Sequence, residues 1–386
     1  MAKNLYDALC NYYELMLGPL PWREEFIQTL QETVTEDDLQ LFFHLPLLNP
    51  ISHPKLARKA KMPADQLQAT IERLATEGMI MAYSDQGTTS YERGNPVYMT
   101  EQQVRKSEET PRRHFYARFF NSFLSGEVRV APPSKTPFYR VLPLEATVTG
   151  EVGEGANRVL PVEVEIPDPR AVLPIDIVSE MIRRDARLIG LADCYCRRTK
   201  QLLGEGCDQP LQTCLVFNKG AEALINYGTA HRISLEEALE IVRMAEERGL
   251  VHNVDNAQGE IGSICNCCPC CSVLLTAWNR GMSNADSPSR YRVEFSADRC
   301  ELCQDCVAIC PTGTRRVVDG RMEIGDARCL GCGLCVSACR QGANRMVLRE
   351  HQSPIPPTLD AMNARIGREA LVGTALQRIK NLFVRS

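Results

Sequence analysis

The chain has 386 residues, 44% of them hydrophobic and 24% charged, with a formal net charge of -4. That length can bury the cores of two to four domains, and the near-balanced charge, with a pI near 6.0, argues against a whole-chain affinity for polyanions. No run approaches the ~18 apolar residues of a membrane-crossing helix, and the N-terminal MAKNLYDALCNYYELMLGPLPWREEF lacks the apolar region and cleavage pattern of a secretory signal, so a cytoplasmic protein is expected.

The outlier is cysteine, with 18 residues, all but Cys10 between Cys194 and Cys339. In a reducing compartment such a density reads as metal or redox ligands rather than disulfides. Cys10, alone near the N-terminus, reads as packing.

After an N-terminal helical segment, 1–36, residues 37–100 form a coherent block. DDLQLFFHLPLL and SHPKLARKA read as short helices. MPADQLQATIERLATEGMI follows with Leu67, Ile71 and Leu74 at helical spacing, Pro63 in its first turn and Gly78 at its end. IMAYSDQGTTSYERGNPVYMT then reads as two strands around a glycine turn. Three helices and a two-stranded wing resemble a winged-helix domain. The resemblance implies a helix over 63–78 that could enter a DNA groove. That helix carries Asp65, Glu72 and Glu77 against Arg73 alone, so nucleic acid is disfavoured and docking favoured, although Lys55, Arg58, Lys59 and Lys61 on the preceding helix keep DNA binding open. Residues 101–170 read as a linker followed by an irregular β-containing segment broken by Gly and Pro.

The block 171–281 holds Cys194, Cys196, Cys207, Cys214, Cys265, Cys267, Cys268, Cys270 and Cys271, five of them in CNCCPCC at 265–271. Its scaffold reads as mainly helical. PIDIVSEMIRRDA has Pro174 in its first turn, and SLEEALEIVRMAEERGLVH opens with Ser234 and Glu237 in capping-box spacing. LIGLADCYCRR reads as a strand with Cys194 and Cys196 on one face, and Pro269 places Cys270 and Cys271 at a helix N-terminus. Three chemistries remain open for the nine cysteines: a further [4Fe-4S] cluster, zinc, or redox-active thiols. The spacing differs from the cysteine-rich motif of heterodisulfide reductase catalytic subunits, and that chemistry is not carried over. His231 and His252 read as ordinary surface or packed histidines.

Residues 300–311, CELCQDCVAICP, and 329–340, CLGCGLCVSACR, both fit C-x2-C-x2-C-x3-C. Over 291–350 the sequence resembles the bacterial-type ferredoxin domain with two [4Fe-4S] clusters. The resemblance implies one cluster on Cys300, Cys303, Cys306 and Cys339 and a second on Cys329, Cys332, Cys335 and Cys310. Arg340 stands where the family has a second proline, which removes no ligand. RRVVDGRMEI between the motifs reads as a hairpin around Asp-Gly. Nine arginines against eight acids over 291–350 would favour the reduced form of a cluster and raise its potential. Tandem zinc knuckles are the alternative.

After HQSPIPP, residues 358–385 form a basic amphipathic pattern that can meet an anionic membrane surface or pack on a protein. The fold class expected is α+β and multidomain: a winged-helix-like module, a mainly helical cysteine-rich centre and a two-cluster ferredoxin fold. The function expected is single-electron transfer within anaerobic metabolism, as an iron–sulfur electron carrier or redox-complex subunit whose partners are other oxidoreductase subunits. A redox-sensing regulator and an enzyme acting at the central cysteines are the alternatives. No dinucleotide fingerprint or P-loop is present to support an enzyme.

Overall fold

The computed structural model describes the chain except for residues 1–3, 47–49, 86, 107, 127–133, 150–176, 260, 283, 352 and 385–386. Two units form, Met1–Pro133 with Ala192–Gln212 and Asn218–Arg232, and Ser134–Leu191 with Thr213–Phe217 and Ile233–Ser386. The 171–281 segment, read above as one domain, therefore contributes to both.

The first unit opens with helices α1 (Leu5–Leu17) and α2 (Arg23–Gln31), whose Tyr13 and Phe26 are fully buried. Cys10 is buried with them, and desolvation pushes its thiol up to about 11, which leaves it an inert packing residue. Next come α3 (Glu36–His44), β1 (Ile51–Ser52), α4 (His53–Ala60), α5 (Ala64–Thr76) and the hairpin β2 (Ile80–Asp85) and β3 (Thr88–Arg93), with the strands in the order β1-β3-β2. Leu67, Ile71 and Leu74 are buried on one side of α5, the side that helical spacing assigns. Asp38, fully buried in the first turn of α3, forms a capping box with Thr35 and accepts a 2.7 Å hydrogen bond from Arg73 Nη2 of α5.

The expected linker after residue 100 is instead helical. Asn95 and Thr110 cap α6 (Pro96–Arg105) and α7 (Pro111–Ser125), each with proline in its first turn. The basic composition misleads because Arg113 is buried, and its guanidinium donates to the carbonyls of Gln103 and Val104 at 3.0 and 2.6 Å, satisfying the end of α6. Phe115, Tyr116 and Phe119 of α7 enter the core, where Phe119 stacks on Phe26 with ring centroids 5.2 Å apart.

The second unit begins with β4 (Tyr139–Leu142), α8 (Glu145–Thr149) and α9 (Val178–Asp185); Pro174 lies outside the described residues. Strand β5 (Ile189–Asp193) stops before the cysteines. Cys194 precedes α10 (Tyr195–Leu202) and Cys196 lies within it, so the two do not share a strand face. The run CRRTKQLL supplies good helix formers, and they decide the segment over the strand preference of Tyr and Cys. In chain order β6 (Gln212–Phe217), α11 (Asn218–Asn226), β7 (Ala230–Ile233), α12 (Leu235–Glu247), β8 (Val251–Asp255), β9 (Ser263–Cys267) and α13 (Val273–Asn279) follow, with α10, α11 and Ala230–Arg232 of β7 counted in the first unit. The centre thus carries a sheet, ordered β4-β8-β9-β6-β5, where mainly helix was expected.

Both faces of this sheet are covered. Leu142, Leu215, Phe217, Val254 and Ile264 face α9 and α12, and the alternate residues Val141, Val251 and Cys267 face Leu275, Trp278, Leu330 and Leu334. The second group belongs to the ferredoxin-like segment and to α13. That segment comprises β10 (Tyr291–Phe295), α14 (Asp305–Ala308), β11 (Arg315–Val318), β12 (Arg321–Ile324), α15 (Leu334–Ser337) and β13 (Asn344–Leu348). Strands β10 and β13 pair antiparallel, and β11 and β12 form the expected hairpin, with Asp319 and Gly320 both left-handed in its turn. The last helix, α16 (Leu359–Val384), buries Met362, and its Glu369 accepts hydrogen bonds from Ser134 Oγ at 2.5 Å and Thr136 N at 2.9 Å. Its first half is thus anchored to its own unit through Met362 and Glu369, while Asn363, Ala364, Arg365 and Arg368 are exposed.

Burial alone would raise the Asp38 pKa, but the hydrogen bonds from Arg73 and Thr35 outweigh it and hold the carboxyl below its usual value. A carboxyl lowered on folding stabilises above its unfolded pKa of about 3.9, and the contribution is lost as pH falls through the folded value. Asp38→Asn is expected to lower the urea midpoint at neutral pH and to show a smaller further drop between about pH 5 and pH 3 than the parent. Equal drops in the two proteins would show that Asp38 does not carry this dependence.

Candidate metal centres

The two cysteine motifs each wrap a tight loop and run into a one-turn helix, α14 or α15. Cys300, Cys303 and Cys306 line a cavity of about 220 Å3 together with Cys339, the last cysteine of the other motif. Cys329, Cys332 and Cys335 line a second, narrower cavity with Cys310. The structure thus brings together both sets of four named from the sequence, each crossing between motifs.

The two loops repeat one backbone. Leu302 and Gln304 in the first are left-handed, with φ of 56° and 68°, and Gly331 and Gly333, at the same spacing from the first cysteine, have φ of 66° and 88°. Glycine is required only in the second loop, because of what surrounds it. A Cβ on Gly331 would lie 2.0 Å from the Tyr291 carbonyl oxygen, and one on Gly333 2.7 Å from Thr147 Oγ1. In the first loop, by contrast, Glu301, Cys303 and Gln304 are exposed. One cavity opens to solvent and the other is pressed against the body of the unit.

The donor set fits a cationic centre. Burial raises the Cys335 thiol to about 12 and holds Cys332 well above the usual thiol value, so a metal is needed to keep both as thiolates. Cys310 differs: burial raises it, but Thr314 and Thr312 outweigh that and lower its pKa, with Thr314 Oγ1 3.3 Å from the sulfur. The Ala343 N–H donates to Cys339 Sγ at 3.3 Å. Of the nine arginines, Arg315 is the one buried between the two sets. It is 4% exposed, its charge acts on Cys335, Cys306 and Cys310, and Nη1 donates to Asn344 Oδ1 at 2.8 Å. Asn344 Nδ2 in turn donates to the Cys335 carbonyl at 3.0 Å. The composition over 291–350 gave no means of singling out Arg315, whereas the contrast of CLGCGLC with CELCQDC already carried the glycine signal.

The central cysteines divide. Cys194, Cys196 and Cys207 belong to the first unit, and Cys214 with Cys265 to Cys271 belong to the second. In the second, Cys214 on β6 stands opposite Cys265 on β9. Cys265 and Cys267 share the face that packs with Leu330, Leu334 and Cys332 of the second cluster loop. Cys268, Cys270 and Cys271 lie in the turn after β9, with their sulfurs within 4.8 Å of one another. Helix α13 starts two residues beyond Cys271, with Ser272 as its cap, so Cys270 and Cys271 stand just outside the helix rather than in its first turn. No disulfide joins any of the cysteines. His231 is exposed. His252 is buried, with Nδ1 2.6 Å from Asn266 Oδ1 and Nε2 3.2 Å from Glu246 Oε2, and Glu246 accepts from Ser337 Oγ of α15 at 2.5 Å. It is a packed strut between sheet and ferredoxin-like segment.

Residues 292–340 match the family model of the 4Fe-4S dicluster domain. No curated protein and no solved structure matches the chain. The C-terminal part is therefore an iron–sulfur, ferredoxin-like domain that binds [4Fe-4S] and points to electron transfer. Among the described residues no helix is long and apolar enough to cross a membrane.

Two outcomes are expected. Gly331→Ala forces a side chain into the Tyr291 carbonyl and should lower the iron content of the purified protein by up to about half, whereas Leu302→Ala, at the matching place in the open loop, should leave it unchanged. Arg315→Gln removes a buried positive charge beside both cysteine sets. It should shift the measured potentials negative by on the order of 60 mV, the one-electron equivalent of about 1.4 kcal/mol. Redox titration of the variant reads this directly, and unchanged potentials would remove Arg315 from the account.

Proposed function

We propose that the protein is a two-cluster electron-transfer subunit that receives single electrons at its exposed cysteine loop and passes them inward. The observation that carries this reading is the pair of crossed cysteine sets, one opening to solvent and one packed against the sheet that bears Cys265 and Cys267. Cys300, Cys303, Cys306 and Cys339 would hold the outer cluster, and Cys329, Cys332, Cys335 and Cys310 the inner one. Each [4Fe-4S] cluster, when bound, supplies reversible one-electron chemistry. The chain's own residues set how that chemistry is used. Exposed Glu301, Cys303 and Gln304 give a partner oxidoreductase a place to approach, and buried Arg315 favours the reduced state of both centres. The close packing of Gly331 and Gly333 excludes water from the inner one.

In the first unit the succession α3, α4, α5 and the β2–β3 hairpin supports a winged-helix reading, with partner docking as its role. The sole arginine of α5 is already bonded to buried Asp38, so the exposed side of that helix is left with Asp65 and Glu72, which repel phosphate.

The test is iron and acid-labile sulfide on anaerobically purified protein, followed by a reductive titration read by electron paramagnetic resonance. About eight irons and eight sulfides per chain and about two reducible centres are expected from two cubanes. Cys306→Ser should remove about half of the iron. Zinc in place of iron in both sets would overturn the reading.

A further inference from the structure

The turn Cys268-Pro269-Cys270-Cys271 is used by neither cysteine set of the ferredoxin-like domain. Its three sulfurs lie within 4.8 Å of one another, and Cys270 and Cys271 are 3.7 Å apart. Two physical comparisons follow from these distances. A disulfide needs its sulfurs about 2.05 Å apart, so the vicinal pair is not bonded. Four thiolates placed tetrahedrally on one ion at about 2.3 Å are about 3.8 Å from each other by simple geometry. A cubane puts a separate iron behind each thiolate and must spread its ligands more widely.

We propose that this turn holds a single, tetrahedral, thiolate-coordinated metal ion, with zinc as the expected occupant, through Cys268, Cys270 and Cys271 and one further cysteine. It rests on the reading above only in assigning the other eight cysteines to the two clusters. Pro269 and the Ser272 cap, which accepts from the Leu274 and Leu275 N–H groups, fix where the turn ends and keep Cys270 and Cys271 out of the helix. The site is structural in type, closed by four protein thiolates with no open position for substrate.

The experiment is metal and sulfide analysis of the full chain, with X-ray absorption at the zinc edge, on the parent and on Cys270→Ser and Cys268→Ser. About one zinc per chain with four sulfur neighbours at about 2.3 Å is expected. It should be lost in either variant while iron and sulfide stay at the parent level. One extra iron without extra sulfide, lost in the same variants, would also support a single-ion site and identify iron as its occupant. A joint fall of about four irons and four sulfides in the variants would overturn the proposal in favour of a third cubane. Absence of any such metal from parent protein that carries its full complement of cluster iron would overturn it in favour of free thiols. Failure of the two-cluster reading would appear separately, as low iron in the parent. Should a serine variant fold poorly, the zinc-edge coordination of the parent alone still decides between sulfur-only and mixed ligation.

Discussion

The second unit is governed by a sheet that must be covered on both faces. Strands β4, β8, β9 and β6 alternate their side chains, and both sets are buried, one beneath α9 and α12 and the other beneath α13 and the loop around Leu330 and Leu334. Burial on both sides fixes register strongly, because a slip by one residue would exchange every apolar contact. It also fixes where β9 sends its cysteines. Ile264 goes to the helical side, so Cys265 and Cys267 must go to the ferredoxin side. The ferredoxin-like segment is therefore no appendage. It supplies one of the two layers that the sheet requires, and its inner cysteine loop is part of the core.

That integration accounts for the difference between two loops of nearly identical backbone. The outer loop is bordered by solvent and tolerates Leu302 and Gln304 in left-handed conformations, while the inner loop meets Tyr291, Ser289 and Thr147 at distances that admit only glycine. Two stretches that fit one cysteine spacing in the sequence become, once packed, two unequal sites. The buried Arg315–Asn344 pair lies between them, and Asn344 ties the start of β13 to the Cys335 carbonyl of α15.

Much of this was legible from the residues. The cysteine spacings gave the two motifs, the Asp-Gly step gave the β11–β12 hairpin, and Ser234 with Glu237 gave the start of α12, because each signal is local and needs no knowledge of what packs against it; the crossed sets of four came only with the family resemblance. The misreadings share the opposite cause. The start of the 101–170 segment read as a linker because residues such as Arg112 and Arg113 make it polar and basic, and nothing local announces that Arg113 caps α6 from inside the core. Cys194 and Cys196 alternate as a strand would, yet the segment belongs to α10. The sheet of the centre was hidden because its strands are short, separated by helices, and buried on both sides, which erases the polar alternation that marks a half-exposed strand. The gathering of the Cys268, Cys270 and Cys271 sulfurs within 4.8 Å is a fact of three dimensions that spacing alone leaves open.

The exposure of Cys303 beside the enclosure of Cys332 and Cys335 has a consequence for durability. An oxidant or chelator diffusing from solvent finds an exposed cysteine, Cys303, only in the outer set, whereas the inner set offers it partly covered or buried sulfurs. Damage to such a molecule proceeds in a fixed sequence, and the first lesion falls on the loop least coupled to the core. The layer that covers the sheet, built from Leu330 and Leu334 of the inner loop, lies away from that first lesion.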